Sequence, residues 1–259
     1  MGASRGRRAV IGGALVGVLV LSVVVGAPWS LVVGAVGLAV GAGARRTGFD
    51  LAAAALFASA AVAIALAVPG GLVWPIPPAA ALAVYTGVTW RDPALGVRSW
   101  FRLGDRDRVA LVVAVASIPL TTVALVAFIT SGRTDLRTAT TGLHGLPLAV
   151  IVLAGVGFAP VNPAVEEALF RGLLQPALGS LGVSAEAAIA LQALAFGALH
   201  LHGIPGGPLG MTMAALWGAM LGSVRHRTNG LRLVWLVHVA ANTTIFTTLV
   251  VAARAKGVL

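Results

Sequence analysis

Two adjacent glutamates, Glu166 and Glu167, stand in the stretch NPAVEEALFRGLLQP (162–176), with Arg171 four residues after the second. The chain has only one other glutamate, Glu186. Glu167 and Arg171 at i, i+4 share a helix face and can pair. Glu166 is turned by about 100° from Glu167 and can point elsewhere, for example into a cavity holding water. Further along, His200 ends the run FGALH, and His238 and Asn242 stand four apart in HVAAN. A histidine and an amide on one face are a pair of donors for an oxyanion. Glu166 with His200 can activate water as a general base and its partner.

Each group also has a purely structural reading. Asn162 and Pro163 resemble a helix cap and first turn, with the glutamates placed on the helix dipole. His200 could bind a backbone carbonyl, and His238 with Asn242 could join two helices. Those readings leave Arg171 unexplained and do not account for three polar groups falling together after residue 160. His144, His202 and His226 are read as loop residues without a role, and Glu186 as a helix-start carboxylate.

The elements that must carry these residues are membrane helices. Of the 259 residues, 58 % are hydrophobic and 10 % charged, against about 25 % charged in soluble domains. The expectation is an all-α, polytopic transmembrane bundle of eight or nine spans. Candidate spans are 9–27, 28–43, 49–68, 72–88, 108–130, 146–160 running into 163–176, 183–200, 208–224 and 231–253. The first is read as a retained span rather than a cleaved leader, because Pro28 would follow the cut. Ionisable side chains inside such spans are costly, so each calls for a function.

The net charge of +10 does not indicate nucleic-acid binding. The basic residues fall between apolar runs: Arg5, Arg7 and Arg8; Arg45 and Arg46; Arg91, Arg98, Arg102, Arg106 and Arg108; Arg225, Arg227 and Arg232. By the positive-inside rule the N-terminus, the 89–107 loop and the 225–232 turn are expected in the cytoplasm of a multi-pass cell-membrane protein. That loop is a natural boundary between an N-terminal part (1–107) and a C-terminal core (108–259). It is expected to hold an interfacial helix with Trp90, Trp100 and Phe101 at headgroup level. Small residues four apart in GALVG (13–17) and GAMLG (218–222) are expected to let helices approach closely. The chain has no cysteine, which excludes disulfides and thiolate chemistry.

A depth count tests whether the polar residues can meet. With the 225–231 turn and the 177–183 link on one membrane face, Glu166 and Asn242 both lie about 16 Å deep, at 1.5 Å per residue. His238 is shallower, at about 10 Å, and His200 deeper, at about 25 Å or less with tilt. One site within the bilayer is feasible.

EEALFR (166–171), FGALH (196–200) and HVAAN (238–242), in this order within apolar helices, resemble the three motifs of the CPBP family of intramembrane proteases. That family is also called the CAAX protease and bacteriocin-processing family, or Abi family. The resemblance covers roughly residues 150–250. It implies an intramembrane endopeptidase in which Glu166 activates water with His200 as partner. His238 and Asn242 would hold the oxyanion, and Glu167 and Arg171 would keep the geometry. Glu166, His200 and His238 could also supply a two-histidine, one-carboxylate set for a divalent metal such as zinc. A metal-free glutamate mechanism fits the same residues, and the HExxH spacing is absent. The implied partners are the lipid bilayer and a membrane-embedded or lipidated protein or peptide, entering from the lipid or the cytoplasmic face. The alternatives are a non-catalytic scaffold or immunity protein and a proton-coupled transporter.

Overall fold

The computed structural model describes residues 2–25, 29–67, 83, 100, 102 and 104–259. Among them every regular element is helical. In chain order these are α1 (Gly2–Val24), α2 (Trp29–Arg46), α3 (Asp50–Ala67), α4 (Arg108–Phe128) and the short α5 (Leu136–Ala139). There follow α6 (Leu148–Glu167), α7 (Gln175–Ser180), α8 (Ala185–Leu199), α9 (Gly207–Thr228) and α10 (Arg232–Ala255). A wide π-helical turn, Ala168–Leu174, joins α6 to α7 without a break. Helices satisfy their own backbone, which a bilayer interior demands.

Four helical stretches among the described residues are long and apolar enough to cross a membrane: Gly6–Val24, Arg108–Arg133, Leu148–Ser180 and Arg232–Ala255. These do not confirm the expected count of eight or nine. The 28–43, 183–200 and 208–224 segments do form helices, but glycines, flanking arginines or shortness keep them off that set. The 49–68 segment carries a shorter apolar helix. The 72–88 span, Trp90 and Phe101 lie outside the described residues.

Side chains set the helix ends. Asp107 caps α4 by accepting from the Ala110 N–H at 2.7 Å, and Ser184 caps α8 through Ala187 at 3.3 Å. Glu186 stands in the first turn of α8. Asn229 ends α9 in the left-handed region (φ 55°), which asparagine tolerates better than most residues. Helix α6 does not start at Asn162. It begins at Leu148 and runs through Pro160 and Pro163, so Asn162 lies mid-helix and is no cap. The Trp235 indole N–H donates to the Pro160 carbonyl at 2.9 Å and ties α10 to this proline-containing stretch.

One core joins α1 and α3 to the π turn, α7, α8, α9 and α10. Trp100 is part of it, 9 % exposed and packed on Gly172. Leu15 of GALVG is buried in this core, but among the described residues nothing lies within 4 Å of a Cβ placed at Gly13 or Gly17, so these two glycines mark no close helix approach. His226 lies in the last turn of α9 rather than in a loop. His202 lies in a short 3-10 turn, His200–His202.

Candidate active site

Glu166, Glu167 and Arg171 are buried where α6 passes into the π turn, with Arg171 wholly enclosed. A guanidinium in such a place needs partners. Its Nη1 donates to Glu167 Oε1 at 3.0 Å, and its Nη2 donates to the Gly218 carbonyl at 3.3 Å. The charge also lies 4.6 Å from the centre of the Phe196 ring. Glycine at 218 makes this approach possible: a Cβ there would stand 3.2 Å from both Arg171 Nη2 and the Phe196 ring. The same helix offers the Gly222 carbonyl to Gln175 Nε2 at 3.1 Å, and Gln192 Nε2 reaches the Gly218 carbonyl at 2.9 Å. The small-residue spacing of GAMLG thus brings polar side chains onto backbone carbonyls as well as bringing helices together.

The two glutamates diverge, as their 100° offset requires. Glu167 is turned inward. Its Oε1 accepts from Arg171 and faces His238 Nδ1 at 2.7 Å. Glu166 faces the cavity. Its Oε1 accepts from Asn162 Nδ2 at 3.2 Å, and its Oε2 stands 3.4 Å from His238 Nε2. His238 is therefore held between both carboxylates, level with them rather than shallower, where α10 packs against α6. The depth count treated the helices as upright and parallel. Sequence reasoning paired Glu166 with His200; the structure keeps both on one cavity wall and adds His238 at 3.4 Å from Glu166 Oε2. His200 Nδ1 bonds the Phe196 carbonyl at 2.9 Å, with its ring tilted on Phe196 at 4.6 Å.

Glu166, His200, His238 and Asn242 line one cavity of about 1370 Å³, together with Asn162. Glu167 and Arg171 do not reach its wall. Asn242 Nδ2 is buried without a hydrogen-bond partner, an expensive state for a donor. Among the described residues no three His, Asp or Glu side chains are gathered as a metal-binding cluster. Glu166, His200 and His238 share the cavity but not such a cluster.

Residues 138–244 match the family model described as type II CAAX prenyl endopeptidase Rce1-like. Over this segment, less than half of its length, the chain is similar to that family. Every motif residue named above lies inside the match, and the CPBP resemblance is borne out there. The description names an endopeptidase, and the apolar helices make it a membrane protein. No curated protein and no solved structure matches the chain.

Sequence reasoning missed Gln175 and Gln192 and read Asn162 only as a cap. All three are buried polar residues in apolar helices, and Asn162 and Gln175 fall four residues before Glu166 and four after Arg171. That periodicity was available as a signal.

Proposed function

We propose that the protein is an intramembrane endopeptidase of the CAAX prenyl protease type, using Glu166 to activate water. The observation that carries this reading is the Glu166 carboxylate at the wall of a large, mostly apolar cavity. It is bound by Asn162 and faces His238, whose other nitrogen is held by Glu167.

The roles follow from the hydrogen-bond geometry. Glu167, neutralised by Arg171, accepts from His238 Nδ1–H, so the imidazole is fixed with Nε2 toward Glu166. With a proton also on Nε2, the set Arg171, Glu167, His238 and Glu166 is electrically neutral. His238 Nε2–H and the unpartnered Asn242 Nδ2–H are then two donors for a developing oxyanion. His200 donates Nδ1–H to the Phe196 carbonyl, which leaves Nε2 as an acceptor that orients the attacking water. Glu166 takes the proton of that water as it adds to the carbonyl carbon, and returns it to the departing amine as the C–N bond breaks. Asn162, which fixes one Glu166 oxygen, positions the base. Were a divalent ion such as zinc used, Glu166, His200 and His238 would be its donors, and it would polarise the same carbonyl and water. All these residues come from the 108–259 part, which we take as the catalytic core. Helices α1 to α3 buttress it, and the shorter helices complete the membrane bundle. The substrate class is a lipidated C-terminal peptide or a membrane-embedded segment.

The test is cleavage by the purified protein in lipid nanodiscs, read by mass spectrometry. Prenylated C-terminal peptides and single-span membrane segments form the panel. The Glu166→Gln protein runs beside the wild type, each with and without chelator. Cleavage by wild type alone, unaffected by chelator, is the expected result. Equal cleavage by both proteins refutes the assignment, and loss with chelator replaces it by a metal mechanism.

A further inference from the structure

The cavity and the arginines lie at opposite ends of the bundle. One end gathers the start of α1, the α2–α3 turn, the 102–108 segment, the α7–α8 link and the α9–α10 turn. Arg8 stands over the Phe49 ring at 5.9 Å and 3.6 Å from a Cβ placed at Gly182. Arg227 pairs with Asp107 at 2.9 Å, and Asn229 bonds Asp105 at 3.0 Å. This end holds Arg7, Arg8, the 45–46 pair and the arginines of the 102–108 and 225–232 segments. The other end is built from residues 129–145 and 200–206 and the end of α10, held together by Ile129, Leu136, Ile204, Leu249 and Ala253. Its cations are Arg133, Arg137, Arg254 and Lys256, far fewer than at the first end.

The cavity wall is drawn from mid-span residues such as Leu120, Phe158 and Trp217 and from the second end. It runs from Glu166 and His238 out to exposed residues at 133, 138 and 142, and to 200–206. None of the 104–108, 177–185 or 225–232 segments contributes to it. Toward the arginine-rich end the site is closed by Trp100, Leu173, Val234 and Val237, all in the dry core.

With the arginine-rich end placed in the cytoplasm by the charge rule, we propose that the catalytic cavity opens on the extracytoplasmic side of the membrane. Its substrates are then peptides already carried across the bilayer, or the outer halves of membrane segments. A lipidated peptide in the cytoplasm then has no direct aqueous path to Glu166. This replaces the expected cytoplasmic entry. It rests on the proposed catalytic role only for the word substrate, since the direction of the opening is independent of activity.

The chain's lack of cysteine makes the test clean. Three single-cysteine proteins are expressed in cells and treated with a membrane-impermeant thiol reagent before and after permeabilisation. Gly142→Cys marks the cavity mouth and Gly179→Cys the arginine-rich end, and an added Cβ meets nothing within 4 Å at either position. Ala241→Cys marks the inner cavity wall beside Asn242. The expected pattern is modification of Gly142→Cys and Ala241→Cys in intact cells, with Gly179→Cys modified only after permeabilisation. Labelling of Gly179→Cys in intact cells overturns the topology. Reaction of Ala241→Cys only after permeabilisation, or not at all, overturns the direction of the opening. Both readouts hold whether or not the protein cleaves a peptide, so failure of the function and failure of this proposal stay separate.

Discussion

Replacing Arg171 by leucine removes a cation that is wholly enclosed and leaves Glu167, 1 % exposed, with His238 as its remaining charged neighbour. Breaking one side of a buried ion pair costs about 3–5 kcal/mol, because the other charge stays in a dry site. For a chain of this size 1 kcal/mol moves Tm by about 2–4 °C, so Arg171→Leu is expected to lower it by about 6–20 °C. The companion is the double substitution Glu167→Gln with Arg171→Leu. It removes the stranded carboxylate as well, and should recover a substantial part of the loss while leaving cleavage abolished, because His238 has lost its anchor. The assay is thermal unfolding in nanodiscs followed by tryptophan fluorescence, with cleavage measured on the same preparations. If the single substitution costs under about 1 kcal/mol, or if the double protein is no more stable than the single, then the pair does not hold the site and the argument fails.

Asn242→Ala should lower kcat by about 10²–10³ with KM nearly unchanged, as loss of one oxyanion donor does; an equal rise in KM would instead make Asn242 a binding residue. At Asn162, alanine should slow cleavage and the isosteric aspartate should slow it more, since the introduced carboxylate would turn an acceptor toward Glu166. Better activity in Asn162→Asp than in Asn162→Ala would mean that shape, not donation, matters there. The Ala110 N–H and then the Arg227 guanidinium hold the Asp107 carboxyl below its usual range. A depressed carboxyl contributes stability above its unfolded pKa of about 3.9 and loses it as pH falls through the folded value. Wild type should therefore lose more Tm below about pH 4 than Asp107→Asn, which keeps the cap; parallel Tm curves would show that the charge contributes nothing.

The chemistry was legible wherever it rested on spacing within one helix. The i, i+4 pairing of Glu167 with Arg171 and the divergence of Glu166 follow from 3.6 residues per turn, and both are present. What spacing does not carry is the choice between helices. Glu166 was paired with His200 by type, and only the packing of α10 against α6 reveals that His238 stands beside it as well. Asn162 was misread because Asn-Pro ahead of an apolar run is a start signal in water, whereas here α6 continues through Pro163. The sequence carried no sign of the packing partner of Trp100, Gly172, which opens a slot for its ring in the core. The positive-inside rule assigned an orientation to the ends but could not say which end the cavity meets.

The π-helical turn from Ala168 to Leu174 inserts extra chain into an otherwise regular helix. It acts as a phase shifter. Upstream of it the face is chosen by Glu166 and Glu167; downstream it is chosen by Gln175, which must meet the Gly222 carbonyl. A strictly α-helical path would tie these two choices together, so that any rotation bringing Glu167 onto Arg171 and His238 would also dictate where Gln175 points. The wide turn lets the catalytic and the anchoring halves of one membrane helix be aimed separately. Deleting a single residue within 168–174 would therefore leave a good helix with a misaligned second half.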